Sequence, residues 1–403
     1  MQNTLGSAFK PFVEDLFPFY ACLRHEEPIT FCPEYNAWLV SRYNDIKSII
    51  SHPDIFSSRN TIFLVPNPTA PRVLAEISKA HIPSRVVVNS DKPVHTRFKT
   101  ALSKAFPLTR VNSLEPFARE VANRLVDELI DQQRAEILSQ FANPLISEIV
   151  LTLVGVPKQD LPHTRRWVDE WVALTFLPMD EEQQLVCVKS MLAMQKYLLD
   201  LITERRNAPQ DDDALSTLLH FSTPDMEPLT DSELMDVLPA LFFGFTSAIS
   251  MIGIGLVHLL GQPERWRMLC DHPEYIPQAV EEILRIDSPN RMISRMTTQE
   301  VTIGGVTLPE DTQLLLVVAS GNRDETTFAN ADEFEIQRTP NQHLAFGHGI
   351  HYCVGAGAAR LHGRVALEVL TQRLPQLRLL PEQTITHVPN LMLRRLERLE
   401  VEW

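Results

Sequence analysis

The segment Thr230–Gly261 constrains this chain more than any other. Thr230-Asp-Ser-Glu233 sets a threonine three residues before a glutamate, the reciprocal pattern that satisfies two orphan N–H groups at a helix start. Apolar residues then continue to Leu260, where Gly261 and Pro263 supply the stop. The spacing predicts a helix of about thirty residues, roughly 45 Å long at 1.5 Å per residue. Its apolar residues fall on nearly every side, so it belongs inside a core, wrapped by other elements. Pro239 should loosen or bend one turn. Such a helix needs a large, mainly helical body, which 403 residues at 44% hydrophobic content can build.

The rest of the chain agrees. No repeat, low-complexity tract or Gly/Ser linker interrupts it, so residues 1–403 read as a single domain. Short strand-like runs (Pro28 to Cys32, Ala37 to Ser41) precede a short helix, Tyr43 to Ser51. Residues 59–91 are rich in Pro and β-branched types without clean periodicity and read as a long loop. Helical patterns follow from Asp91 to about Phe106, then at 112–133, 138–155, 160–175, 181–206 and 274–286. Val301 to Ile303 and Gln313 to Val318 read as strands, Ala356 to Leu374 as a helix, and Leu377 to Trp403 as short strands. The fold class is mainly α with minor β.

Composition narrows the function. No eighteen consecutive apolar residues occur, and the amino terminus has neither a basic nor an apolar leader region, so neither a membrane span nor secretion is expected. Cys22, Cys32, Cys187, Cys270 and Cys353 are odd in number and far apart, which argues for a reducing cytoplasm. A net charge of −14 disfavours nucleic acid as a partner.

One stretch carries chemistry. In His343-Leu-Ala-Phe-Gly-His-Gly-Ile-His-Tyr-Cys353-Val-Gly-Ala-Gly357, a cysteine follows a histidine-rich loop and directly precedes a helix. Gly347 and Gly349 permit positive φ or close approach to a flat ligand. Near a helix start, Cys353 meets unpaired N–H groups that stabilise a thiolate, as an axial ligand of haem iron requires. Two rival readings stand beside this one. A lone cysteine is commonly a small buried hydrophobe. Zinc is the other rival, since His343, His348, His351 and Cys353 crowd together, although no second ligand pair with zinc-like spacing occurs.

Phe346-Gly347-His348-Gly349-Ile350-His351-Tyr352-Cys353-Val354-Gly355 resembles the haem-binding signature of the cytochrome P450 family, F-G-x-G-x-H-x-C-x-G. The resemblance implies a triangular helical prism with a long central helix and small sheets, haem b as cofactor, and Cys353 as the ligand to its iron. It places Phe346 and Gly355 against the cofactor, and His95, Lys99, Arg295 and His351 at its two propionates. Lysine stands at 99 where the family usually has arginine, so a planar fork becomes a point charge. Glu282-Ile-Leu-Arg285, an ordinary surface pair when read alone, resembles the family's E-x-x-R. Arg338 matches the arginine that completes this structural network.

The departure lies on the long helix. Phe243-Gly244-Phe245-Thr246-Ser247-Ala248 aligns with the family's A-G-x-[D/E]-T-T, in which a groove holds O2 and an acid–alcohol pair relays protons. Gly244 is kept and Ser247 can supply the hydroxyl. Thr246 replaces the acid and cannot titrate near neutral pH, and Phe243 replaces a small residue. Hydrogen bonds from Thr246 and Ser247 to their own helix carbonyls are the plain alternative. By matching positions, the pocket is lined by parts of residues 60–90, Phe176, Phe243, Ser247, Asn290, Arg291, Met292, Ile293, Met392 and Leu393. Arg291 reads as solvated unless it anchors a substrate carboxylate. These residues favour a lipophilic or aromatic small molecule. With no phosphate loop and no second cysteine cluster, electrons must come from outside. Arg97, Lys99, Lys104, Arg360 and Arg364 would steer an acidic ferredoxin, itself served by a reductase, to the cysteine side. The expected activity is monooxygenation in secondary metabolism. The lost acid leaves open non-hydroxylating chemistry (oxidative coupling, C–N bond formation, nitration or peroxide-driven oxidation), and a non-catalytic haem or gas-binding role is the third class.

Overall fold

A computed structural model describes residues 5–11, 15–59, 70–83, 85–177, 179–207 and 213–403, with the side chains of Phe176, Ala240 and Phe243 also outside the description. The amino-terminal part has α1 (Phe17–Glu26), strands β1 (Ile29–Cys32) and β2 (Ala37–Val40), α2 (Tyr43–Ser51), β3 (Phe56–Ser57) and α3 (Pro71–Ile77). The helical body follows: α4 (Val94–Ala105), α5 (Leu108–Ser113), α6 (Glu115–Leu129), strand β4 (Arg134–Glu136), α7 (Asn143–Val154), α8 (Leu161–Phe176), α9 (Glu181–Asn207), α10 (Ala214–His220), α11 (Asp231–Leu260), α12 (Pro263–Asp271) and α13 (Ile276–Ile286). Then come β5 (Ile293–Thr297), β6 (Val301–Ile303), β7 (Val306–Leu308), β8 (Gln313–Leu316), the single turn α14 (Val318–Gly321), α15 (Ala356–Arg373), β9 (Arg378–Leu379) and β10 (Glu400–Glu402).

The capped run folds as its chemistry dictates. Thr230 Oγ1 accepts the Glu233 N–H at 3.2 Å, and a Glu233 carboxylate oxygen accepts the Thr230 N–H at 2.8 Å. Leu234, Leu238, Leu256 and Leu259 of α11 have no exposed surface, each such burial contributing about 1.5–3 kcal/mol. Gly255 lets α13 approach closely, since a Cβ there would lie 2.7 Å from Ile283 Cδ1. By length and composition α11 is apolar enough to cross a membrane, but 75% of that window is buried inside the fold, as for a core helix.

Strands order β1-β2-β8-β5-β3 in one sheet, with β2 and β8 parallel and the other neighbours antiparallel. β4-β10-β9 form a second sheet, and β6 and β7 a hairpin. The long loop predicted over 59–91 is corrected in part by α3, which Pro71 opens at its first turn; residues 60–69 and 84 lie outside the described residues. β3, β4, β5 and β7 went unread because two to five residues carry too little alternation to distinguish a strand from a loop.

Candidate active site

The loop before α15 is wound tightly. Gly347 and Gly349 sit at φ +70° and +67°, and a Cβ on Gly349 would lie 3.0 Å from the Ile50 carbonyl oxygen. The Cys353 N–H donates to the Phe346 carbonyl at 2.9 Å, fixing the cysteine at the foot of α15. Cys353 keeps exposed surface, although protein crowds the thiol enough to push its pKa up. The backbone N–H groups of Gly355 and Ala356, with Lys99 and Arg360, pull it back down. The buried-hydrophobe reading therefore fails. A Cβ on Gly355 would stand 3.8 Å from the sulfur, and the Phe346 ring packs under the Arg360 guanidinium at 4.6 Å.

The three histidines of the loop diverge, which removes zinc. His343 Nε2 meets Glu281 Oε2 at 3.2 Å, His351 Nε2 meets Ser58 Oγ at 3.0 Å, and His348 is exposed. Among the described residues no three His, Cys, Asp or Glu side chains converge to hold a metal.

A closed charge network supports the loop from below. Glu282 and Arg285 have no exposed side-chain surface and pair at 2.7 and 2.8 Å. The surface-pair reading is thereby overturned. Arg338 Nε adds a contact to Glu282 at 3.1 Å, and the Glu335 N–H and Asn341 Nδ2 fill the remaining acceptor sites. Arg285 also donates to the carbonyls of Asn322, Ala331 and Glu333. The neighbouring Glu281 takes two bonds from Arg360 and one from His343, which hold its carboxyl down at about 2.

A second charge cluster is open. Arg295 on β5 is 5% exposed and donates to the Ser294 carbonyl. Among the described residues it has no carboxylate within 4.0 Å; Asp91 is turned instead to Ser57 and the Ser58 N–H. Burial lowers the Arg295 guanidinium to about 10. The His95 ring lies 4.2 Å from that of His351, and His95 Nε2 is buried without a partner among the described residues. Burial first, then Arg295, His95 and Lys99, push His351 down to about 3. Lys99 Nζ donates to the Tyr352 carbonyl.

Across the site, α11 breaks its apolar burial at Gly244, where an added Cβ would meet nothing within 4 Å. One turn on, Ser247 Oγ accepts from Asn290 Nδ2 at 3.1 Å. Asn290 is itself fixed by a bridge to Leu393. Thr246 is 1% exposed, makes no side-chain hydrogen bond among the described residues, and faces a cavity shared with α7 and α8. Its own helix carbonyls are therefore not its partners.

The expected lining residues divide. Phe176 and Phe243 lie on α8 and α11 with side chains outside the described residues. Ile293 and Met392 are half-buried at the edges of apolar clusters. Met292 is corrected: it is 1% exposed and packed with Phe9, Tyr20 and Leu39, because alternation along the strand turns it away from the Ile293–Arg295 side. Arg291 is not solvated. It is 5% exposed and donates to the Pro11 and Asn390 carbonyls, so its planar fork is occupied by backbone. The cationic face is also corrected, since Arg97 pairs with Glu233, Arg360 with Glu281, and Arg364 with Glu115 and Glu368.

The family model described as Cytochrome P450 matches residues 39–396. The chain is a cytochrome P450. It is 34% identical to the mycinamicin IV hydroxylase/epoxidase of Micromonospora griseorubida over 95% of this chain and 94% of that one. It is 32% identical to the 6-deoxyerythronolide B hydroxylase of Saccharopolyspora erythraea, covering 97% and 96%. The solved haem domain of a Tepidiphilus thermophilus P450 superposes with a TM-score of 0.91 at 29% identity, covering 99% of this chain and 97% of that one. This P450 is a monooxygenase-class oxidoreductase with haem b as its cofactor, acting on a small molecule with O2 and an external redox partner.

The residues present fit that group. A porphyrin brings one metal and two carboxylates. The site offers one sulfur with two backbone N–H groups aimed at it, and a buried arginine with an orphan histidine nitrogen that, among the described residues, no carboxylate pairs directly. The open face of Gly244 leaves room beside α11. Ser58, Glu281 and Asn290 carry much of this geometry, yet only Asn290 was legible, by matching the family's pocket positions. Ser58 sits in the irregular segment, and Glu281 carried no pattern of its own.

Proposed function

We propose that this P450 hydroxylates a lipophilic or aromatic small molecule of secondary metabolism, with Cys353 as the residue that would hold the haem iron and the Gly244–Ser247 turn of α11 as the O2 side. Held by the Cys353 thiolate, haem b would supply the oxygen-activating chemistry, with electrons from the redox partner and one oxygen atom going to substrate. The chain's own residues do the rest. Arg295, His95 and His351 hold the propionates, Lys99 braces the cysteine loop through Tyr352, and Phe346 and Gly355 pack beside the sulfur. Ser247, oriented by Asn290, holds a proton where O2 is reduced, and Gly244 leaves that surface open. Ile293, Met392 and Leu393 line the apolar side. An enzyme of the cytoplasm, it takes electrons from a ferredoxin-type donor. The donor docks over Lys99, Lys104 and the exposed Leu108 and Tyr352, where an apolar centre compensates for cations already paired.

The observation that supports this reading most is the pairing of Cys353, inside its N–H cradle, with an open cationic corner. The test is spectroscopic and then chemical. The ferrous carbonyl adduct should show the red-shifted thiolate band, and a substrate found by spin-shift screening should gain one atom from labelled O2. An imidazole-like band would overturn the ligand assignment. Unlabelled coupled or nitrated product would favour the second reading, which Thr246 in the acid's place supports.

A further inference from the structure

Beside Thr246 lies a partly open cavity of ≈ 50 Å³ lined by Asn143 of α7, Asp169 of α8, Thr246 of α11 and Arg395, with apolar side chains between them. A water needs about 10–15 Å³ and two to four polar partners, so this space suits a short water chain. Asp169 is half-buried, with one anchoring bond from Asn143 Nδ2 at 3.1 Å, and Asn143 is itself oriented by Ser147 at 3.0 Å. Neither Arg165 nor Arg395 comes within 4.0 Å of it among the described residues: Arg165 leans to Glu148 instead. This carboxyl is therefore oriented but not locked in an ion pair, unlike Glu233, Glu281 and Glu282. Thr246, whose hydroxyl has no partner among the described residues, faces the same space.

We propose that Asp169 is the proton-delivering acid of this P450, feeding the O2 side through cavity water and the Thr246 hydroxyl in place of an acid on α11. The inference rests on the functional reading above. Monooxygenation consumes one O2, two electrons from the redox partner and two protons, and yields oxidised substrate and one water. The step assigned here moves one proton: the Asp169 O–H bond breaks, water and the Thr246 hydroxyl hand the proton on, and solvent restores it to the carboxylate. Asp169 acts through Thr246 and is a relay residue, not one that touches the reacting atoms. Burial raises its carboxyl to about 6, against the lowering pull of Asn143, Arg165 and Arg395 and with a small push from Glu170. The acid thus carries and releases a proton near neutral pH.

The test uses the haem-loaded full chain, reduced with dithionite and mixed with air-saturated buffer, so that O2 is the only probe. Reoxidation of wild type should slow as pH rises through about 6 and should slow in D2O. Asp169→Asn should be about tenfold slower or more and flat across that range, Asp169→Glu should restore the profile, and Thr246→Val should share the defect non-additively. Independently of turnover, infrared difference spectra of the wild type should show one protonated-carboxyl band titrating near pH 6 that Asp169→Asn removes. An Asp169→Asn protein with the wild-type rate and pH profile, or no such band, overturns the proposal. Loss of the thiolate carbonyl band in wild type would overturn the functional reading instead, so the two failures are distinguishable.

Discussion

Two buried charge clusters flank the cysteine loop and are built on opposite principles. In the Glu282–Arg285–Arg338 cluster every strong donor has an internal acceptor and both central side chains are fully buried. In the Arg295–His351–His95 cluster, cation and potential cations crowd together with Asp91 acting on them only from beyond ion-pair distance, and among the described residues no carboxylate lies within 4.0 Å of Arg295. A buried charge is tolerated when it is paired, and an unpaired one costs stability until something arrives to pair with it. The first cluster is therefore a brace, and the second, on the function proposed above, would be a receptor for anions.

Four measurements break or sharpen that contrast. Cys353→Ser should have the largest effect, abolishing the red-shifted carbonyl band and turnover while both clusters persist. Arg285→Leu should come next, because it takes two charged bonds from the solvent-free Glu282 carboxylate and leaves three backbone carbonyls without their donor: a loss of about 3–5 kcal/mol in urea unfolding, with or without haem. Arg295→Leu should do the reverse. The haem-free chain should unfold at the same or higher urea, while haem is held less tightly by about 1.5–3 kcal/mol in a transfer assay; equal loss of stability in both forms would make this corner a second brace. Glu115→Gln should be smallest, within about 0–1 kcal/mol, since its partners Arg364 and Arg119 are partly solvated. Those arginines hold the Glu115 carboxyl down at about 2 from 4.5. The wild-type advantage should thus be whole above pH 4.5 and fade as pH falls toward 2, while the variant shows no such slope.

Local signals were legible where one short segment holds its own reason. The Thr230–Glu233 box, the Tyr43–Ser51 helix and the positive-φ glycines before Cys353 all appear as expected. Arg291, Met292 and the surface cations were misread for a common reason. A charge or thioether looks solvent-facing or pocket-facing until its partner is known, and those partners lie up to 280 positions away, as for Arg291 and Pro11. Asp169 had no signal, since one acid on an amphipathic helix resembles any other.

Order along the chain alone determined the long core helix, the helical class and the cysteine with its loop, because caps, breakers and apolar periodicity act over a few residues. Tertiary structure decided which charges became brace and which became receptor, and it set an acid from α8 beside the hydroxyl of α11. Burial and pairing are properties of the space between elements, and that space exists only once they pack.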